Sequence, residues 1–193
     1  MTLEEIYYIG QTIAVVAILG SLLAIWFQMR QSQKMERASA QREILQRTAE
    51  FARSFQLEEL DPFVLGLHEW DGAAYKARFV TDSKVSDFLF LAEAAYYLHK
   101  DGFFNTGTLA GIEGYLISLL RAPGGQQYWT FKQHRIGPDY VAYLNARIEA
   151  TSEDTPTFFE AEPHFRSRLE ELLAAQGKPA LPDRHQANED IAQ

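Results

Sequence analysis

The sequence contains no cysteine, no charge from Ile6 to Met29, and no proline or glycine from Met29 to Phe55. The missing cysteine excludes disulfides and thiolate metal sites and fits a reducing compartment. The missing charge leaves IYYIGQTIAVVAILGSLLAIWF, from Ile6 to Phe27, as an uninterrupted apolar run. At 1.5 Å per residue that run spans about 33 Å as a helix, enough to cross a hydrocarbon core of about 30 Å. A cleaved signal peptide carries Lys or Arg before its apolar run, and Glu4 and Glu5 stand there instead. A core helix of a soluble domain is usually shorter or striped, and this run is apolar all round. The missing helix breakers let the membrane helix continue through MRQSQKMERASAQREILQRTAEFARSF, which is rich in Gln, Arg, Glu and Ala. The sequence therefore predicts one helix from about Leu3 to Phe55, near 80 Å long.

Of the 193 residues, 47% are apolar, and removing the anchor leaves about 150 residues, the size of one domain. The mean hydropathy of −0.23 averages over a segmented chain. The net charge of −8 speaks against free nucleic acid as a partner. That charge is unevenly spread: −2 over residues 1–29, +3 over residues 30–56 and −9 beyond. Arg30, Lys34, Arg37 and Arg42, followed by Arg47 and Arg53, form a basic collar after the span. The positive-inside rule puts the collar and the domain in the cytoplasm and the N-terminus outside. Tyr7, Tyr8 and Trp26 lie at the ends of the span, where amphipathic rings favour the headgroup layer. The collar would attract anionic lipid at roughly 1 kcal/mol per well-placed base. The acidic domain would be repelled, so it is expected on a stalk.

Gly10, Ala14, Ala17, Ser21 and Ala24 recur at spacings of 4 and 3, and Gln28 and Gln31 continue the series. Small residues on one face let membrane helices approach closely, where packing must supply the drive that lipid does not. Gln11 and Gln28 could add hydrogen bonds at the ends of this seam. The same pattern also arises by composition alone, and it suits self-association and hetero-association equally.

From Ile44 the pattern becomes amphipathic, with Ile44, Thr48, Phe51, Ala52 and Phe55 predicted to enter a core. Leu57–Leu67 reads as a short segment broken at Pro62, and Asp71-Gly72 as a turn. Asp82 or Ser83 would cap a helix through VSDFLFLAEAAYYLHK, apolar on almost every face and so the expected central helix, stopping at Gly102. Thr106 or Thr108 would start the next, Pro123-Gly124-Gly125 would turn into a third carrying Tyr128, Trp129 and Phe131, and Pro138 would open a fourth. The polar stretch TSEDTPT then precedes an amphipathic helix from Phe165 to Ala175. No alternating strand and no repeat is visible. The fold class is all-α, organised as anchor (1–29), basic stalk (30–43), cytoplasmic helical domain (44–176) and a tail (177–193) of disordered composition.

A span running into IWFQMRQSQ, then FLFLAEAAYYLHKDGFF, Ala122-Pro123-Gly124-Gly125 with Tyr128-Trp129, and Pro138-Asp139-Tyr140-Val141 together resemble a widespread family of uncharacterised bacterial single-pass membrane proteins. The resemblance covers roughly residues 10–150. It implies one N-terminal membrane helix, a compact cytoplasmic helical domain and a bacterial inner (plasma) membrane location. It implies no activity.

The residues point to no chemistry of their own. His68, His99, His134, His164 and His185 form no HxxxH or HExxH spacing, and His99 near a helix end would complement the dipole. Pro123-Gly124-Gly125 is followed by Gln126-Gln127, where a phosphate loop needs Lys-Ser or Lys-Thr. Tyr128, Trp129, Phe131, Tyr140 and Tyr143 read as core or as a partner patch. Glu93, between Ala92 and Ala94 in an apolar helix, is a candidate buried carboxylate: an acid or base in a pocket, or a structural group met by donors. No cofactor or metal is expected. The function expected is an interaction or scaffold protein, an accessory subunit of a larger membrane complex or a homo-oligomer. Its partners would be membrane lipid and other membrane subunits or itself. The alternatives are a membrane-tethered sensor or enzyme with its pocket near Glu93, and a lipid-surface role for the collar.

Overall fold

The computed structural model describes residues 3–179 and 181. The chain is all-α, and the described residues contain no strand. Its helices are α1 (Leu3–Arg53), α2 (Leu57–His68), α3 (Tyr75–Lys100), α4 (Thr106–Arg121), α5 (Pro123–Lys132), α6 (Pro138–Glu149), α7 (Phe158–Ala161) and α8 (Pro163–Ala175), with a 3₁₀ turn at Gln133–Arg135. The 51 residues of α1 span about 76 Å without a break, matching the long helix read from the sequence.

The bundle gathers around α3, which packs against α1, α2 and α4. Ile44 and Phe51 carry α1 into the core as expected, but Ala52 stays exposed. Phe51, Phe88 and Tyr115 join α1, α3 and α4, with ring centroids 4.8 Å apart between Phe51 and Phe88 and 5.0 Å between Phe88 and Tyr115. Phe63, Phe158 and Phe165 extend this aromatic layer to α2, α7 and α8.

Several helix boundaries differ from the sequence reading. Pro62 does not break α2: it lies inside, within two turns of the start, where its missing N–H removes one hydrogen bond. The capping box of Gln56 and Glu59 and the burial of Phe63, Val64 and Leu67 outweigh that loss. Asp82 and Ser83 do not cap a helix, because α3 begins earlier at Tyr75. Nor is α3 buried all round: Phe90 and Ala94 face outward. Its end agrees with expectation, with Gly102 at φ +77° and Phe103 N–H donating to Leu98 O over 2.8 Å. α4 starts at Thr106 as expected, capped by Asn105, whose side chain accepts from Gly107 N–H at 2.7 Å.

The largest difference concerns Pro123-Gly124-Gly125, which is the first turn of α5 rather than a turn between helices. Both glycines are buried there. A Cβ on Gly124 would strike the Gly66 carbonyl, and one on Gly125 the Leu119 carbonyl. The glycines thus bring α5 against the backbones of α2 and α4. The expected tail starts at Gly177, whose φ of +67° ends α8. Lys178 then reaches Glu69 at 3.5 Å and Leu181 packs on the core. The rest of that expected tail lies outside the described residues.

Candidate functional site

Every described side chain from Tyr7 to Ser39 is exposed, and nothing in the bundle covers the apolar run. Among the described residues, one helix is long and apolar enough to cross a membrane, and it is α1. Gly10, Ala14, Ala17, Ser21 and Ala24 share one exposed face of it. A Cβ on Gly10 would meet no atom within 4 Å, and the Ser21 hydroxyl donates to Ala17 O at 2.9 Å. The seam therefore offers shape and no free hydroxyl at Ser21.

The collar is less free than a solvated rod. The Arg30 guanidinium lies 4.4 Å from the Trp26 ring centroid, and Arg37 sits over Phe103 at 5.7 Å. Phe103 belongs to the turn after α3, so the bundle touches α1 well before Ile44. Lys34 and Arg42 are exposed. Arg47 pairs with Glu43 at 3.1 Å in the open.

Glu93 is half-buried, and its Oε1 accepts from Gly137 N–H at 2.9 Å. Gly137 precedes Pro138, so the carboxylate sits at the N-terminus of α6, where the helix dipole favours negative charge. A Cβ on Gly137 would lie 2.7 Å from that oxygen, so the glycine admits the contact.

Among the described residues the most buried carboxylate is a different one, Glu113, 1% exposed on α4. Arg147 Nε approaches its Oε2 at 3.5 Å. Its Oε1 and Tyr140 Oη are both buried without a hydrogen-bond partner among the described residues. Burial, then the Glu113 carboxylate, pushes Tyr143 up to about 12 and raises Tyr140 as well. The signal was present in sequence: Leu109, Ile112, Glu113, Leu116, Ile117 and Leu120 form one helical stripe with an acid inside it.

Asp82, expected as a helix cap, builds a second cluster instead. Its Oδ1 accepts from Lys132 Nζ at 2.8 Å, Ser86 Oγ at 2.9 Å and Tyr128 Oη at 3.0 Å. Lys132 is buried, so its stem runs through the core to reach that oxygen. Burial works to raise Asp82, but the hydrogen bonds from Lys132 and Ser86 and the Lys132 charge outweigh it and hold the carboxyl below its ordinary value. The cluster ties α3 to α5.

The histidines remain scattered. His99 Nδ1 lies 2.9 Å from Phe104 O, His164 Nδ1 lies 3.6 Å from Glu162 Oε2, and His134 edges the Phe131 ring. Burial lowers His68, whose Nδ1 has no partner among the described residues. His185 lies outside the described residues. Among the described residues no three His, Asp or Glu side chains are placed to hold a metal ion. Tyr128, Trp129 and Tyr140 are core, whereas Phe131 is exposed.

A cavity of about 590 Å³ opens where the last turns of α1 meet α2, α3, α4 and α8. Phe51, Phe55, Phe88, Tyr115 and Phe165 wall it, with Glu162 and His164 at its mouth. A second groove of about 660 Å³ runs between α1 and α3 past Glu43, Arg47, Phe90 and Leu98. Glu93 lines neither. Comparison with known protein families, curated proteins and solved structures finds no match.

Proposed function

We propose that this chain is a membrane-anchored interaction protein: a single-pass protein that holds a helical bundle beside the membrane and works as an accessory subunit of a larger membrane complex or as a homo-oligomer. The observation that carries this reading is the continuous helix α1, exposed from Tyr7 to Ser39 and buried in the bundle at Ile44 and Phe51. An apolar run that the other described residues leave bare needs lipid or another membrane helix to cover it. The small-residue face from Gly10 to Ala24 suits a second helix.

The orientation follows from charge. Glu4 and Glu5 precede the run and Arg30, Lys34, Arg37 and Arg42 follow it, so the bundle is cytoplasmic and the N-terminus outside. Placement in a bacterial plasma membrane rests on the resemblance of residues 10–150.

The test is the mass and composition of the native particle after gentle extraction from its own membrane, by light scattering and mass spectrometry. Stoichiometric foreign subunits, or a homo-oligomer, are the expected result. A lone monomer in both wild-type and Ala17→Leu protein would overturn the reading. If the seam is the contact, Ala17→Leu weakens association at least tenfold, about 1.4 kcal/mol, and leaves the bundle's unfolding unchanged.

A further inference from the structure

We infer that the aromatic cavity at the base of α1 is a binding site for a small organic cation, an apolar molecule carrying a protonated or quaternary amine. This goes beyond the anchoring reading and does not depend on it.

A volume of about 590 Å³ lies within the range of small-molecule sites. The space is bounded by five helices and the α1–α2 corner, so it is larger than a gap left by one undersized side chain.

Its walls have a particular chemistry. Phe51 and Phe55 lie edge-on to each other at 5.4 Å, Phe165 stands 6.0 Å from Phe55, and Tyr115 lies 6.4 Å from Phe51. These rings meet edge-on, and Lys84 Nζ already stands 5.1 Å from the Phe55 ring centroid, so this aromatic wall is one that accepts an ammonium group. The carboxylate in the lining is Glu162, with 37% of its side chain exposed at the mouth. Burial, then the Glu162 charge, pushes the Tyr115 hydroxyl up to about 12. His164 stands 3.6 Å from Glu162 but is 66% exposed, on the solvent side. The cavity therefore combines an apolar body, aromatic rings and a partly exposed carboxylate in its lining. An anionic ligand would meet repulsion from Glu162 and from a domain that already carries −9 beyond residue 56.

Position decides against a membrane lipid as occupant. Phe51 lies about 36 Å further along α1 than Phe27, the end of the apolar run. A lipid tail reaches across half of a core about 30 Å thick and does not extend that far. The ligand comes from water.

Gly111 gives a clean way to close the site. It lines the cavity, and a Cβ there would meet no atom within 4 Å. Gly111 is exposed on α4, so a bulky side chain there can lie across the opening without displacing the core. Ala52, exposed on the opposite wall, provides a second entry.

The experiment titrates the full chain in lipid nanodiscs with 4-phenylbutylammonium, 4-phenylbutanol and 5-phenylpentanoate, by isothermal calorimetry. Gly111→Trp and Ala52→Trp serve as filled-cavity controls that also subtract partition into lipid, and circular dichroism verifies their fold. The expected result is saturable binding of the ammonium at least tenfold tighter than the carboxylate, lost in whichever filled variant folds. Glu162→Gln should bring the three probes within about threefold of one another. Overturning results are no saturable ammonium binding, equal or tighter carboxylate binding, or unchanged binding in a folded filled variant.

Discussion

One helix carries two kinds of surface in this molecule. From Tyr7 to Ser39, α1 is exposed on every face, and its residues are uncharged through Phe27. From Ala40 to Arg53 the same helix buries only Ile44 and Phe51, and its other faces carry Arg47, Glu43 and Glu50. The bare half has no inner and outer side, as suits a helix surrounded by lipid, and its surface detail is the row of small residues. The bundle half is striped, because water on one side and core on the other sort its side chains. Helix continuity is set by local propensity, while burial is set by what lies beside each turn.

Glycines set the two halves furthest apart. Gly125→Val forces a branched side chain into the Leu119 carbonyl and should destabilise the bundle by about 3 kcal/mol or more. Gly10→Ala, whose Cβ meets nothing, should leave bundle unfolding unchanged. Thermal unfolding followed by circular dichroism checks both, and an unfolding temperature for Gly125→Val equal to that of the parent would contradict the close approach of α5 to α4.

The next effect is smaller. Asp82→Ala leaves Lys132 buried without its carboxylate and should destabilise the bundle by about 2–3 kcal/mol, below the range for fully buried pairs because 40% of the Asp82 side chain is exposed. On α1, removing Glu43 from its exposed pair with Arg47 should change stability by under about 0.5 kcal/mol. Denaturant titration of the two variants measures the contrast.

Acid acts on three groups of the bundle. His68 is lowered by burial, and Asp82 and Asp61 are lowered by their partners, Asp61 chiefly by the hydrogen bond from Arg168. For all three the unfolded chain binds protons more readily than the folded one, so stability rises with pH. The His68 contribution is fully present above about 6.5 and fades as pH falls through its folded value. The aspartate contributions are present above about 3.8 and fade below it. The unfolding temperature should therefore fall in two stages on acidification. His68→Gln should remove the first and Asp82→Asn should weaken the second. A single stage unaffected by His68→Gln would count against its burial.

The sequence made the long helix, its exposed apolar run and the bundle's punctuation at Gly102 and Pro138 legible, because each is local: propensity, hydropathy and backbone freedom act within a few residues. What it hid was tertiary. Asp82 has the chemistry of a cap, and only the arrival of Lys132 and Tyr128 from α5 makes it an ion-pair acceptor. Pro62 reads as a breaker until the burial of its neighbours outweighs one lost hydrogen bond. Glu93 stands out in sequence by its apolar neighbours, yet Glu113 on the next helix is the deeper carboxylate, visible once the stripe of α4 is traced. The cavity was invisible because Phe51 and Phe165, far apart in the chain, meet only through Phe55 and the core.

The unbroken α1 is also a mechanical element. With no proline or glycine between Gly20 and Pro62, it has no joint in which to absorb a twist. A rotation of the exposed segment about its axis would carry with it the turns at Phe51 and Ala52, about 36 Å beyond Phe27. Those residues form one wall of the cavity. The exposed apolar run and the aromatic cavity are thus parts of one continuous helix.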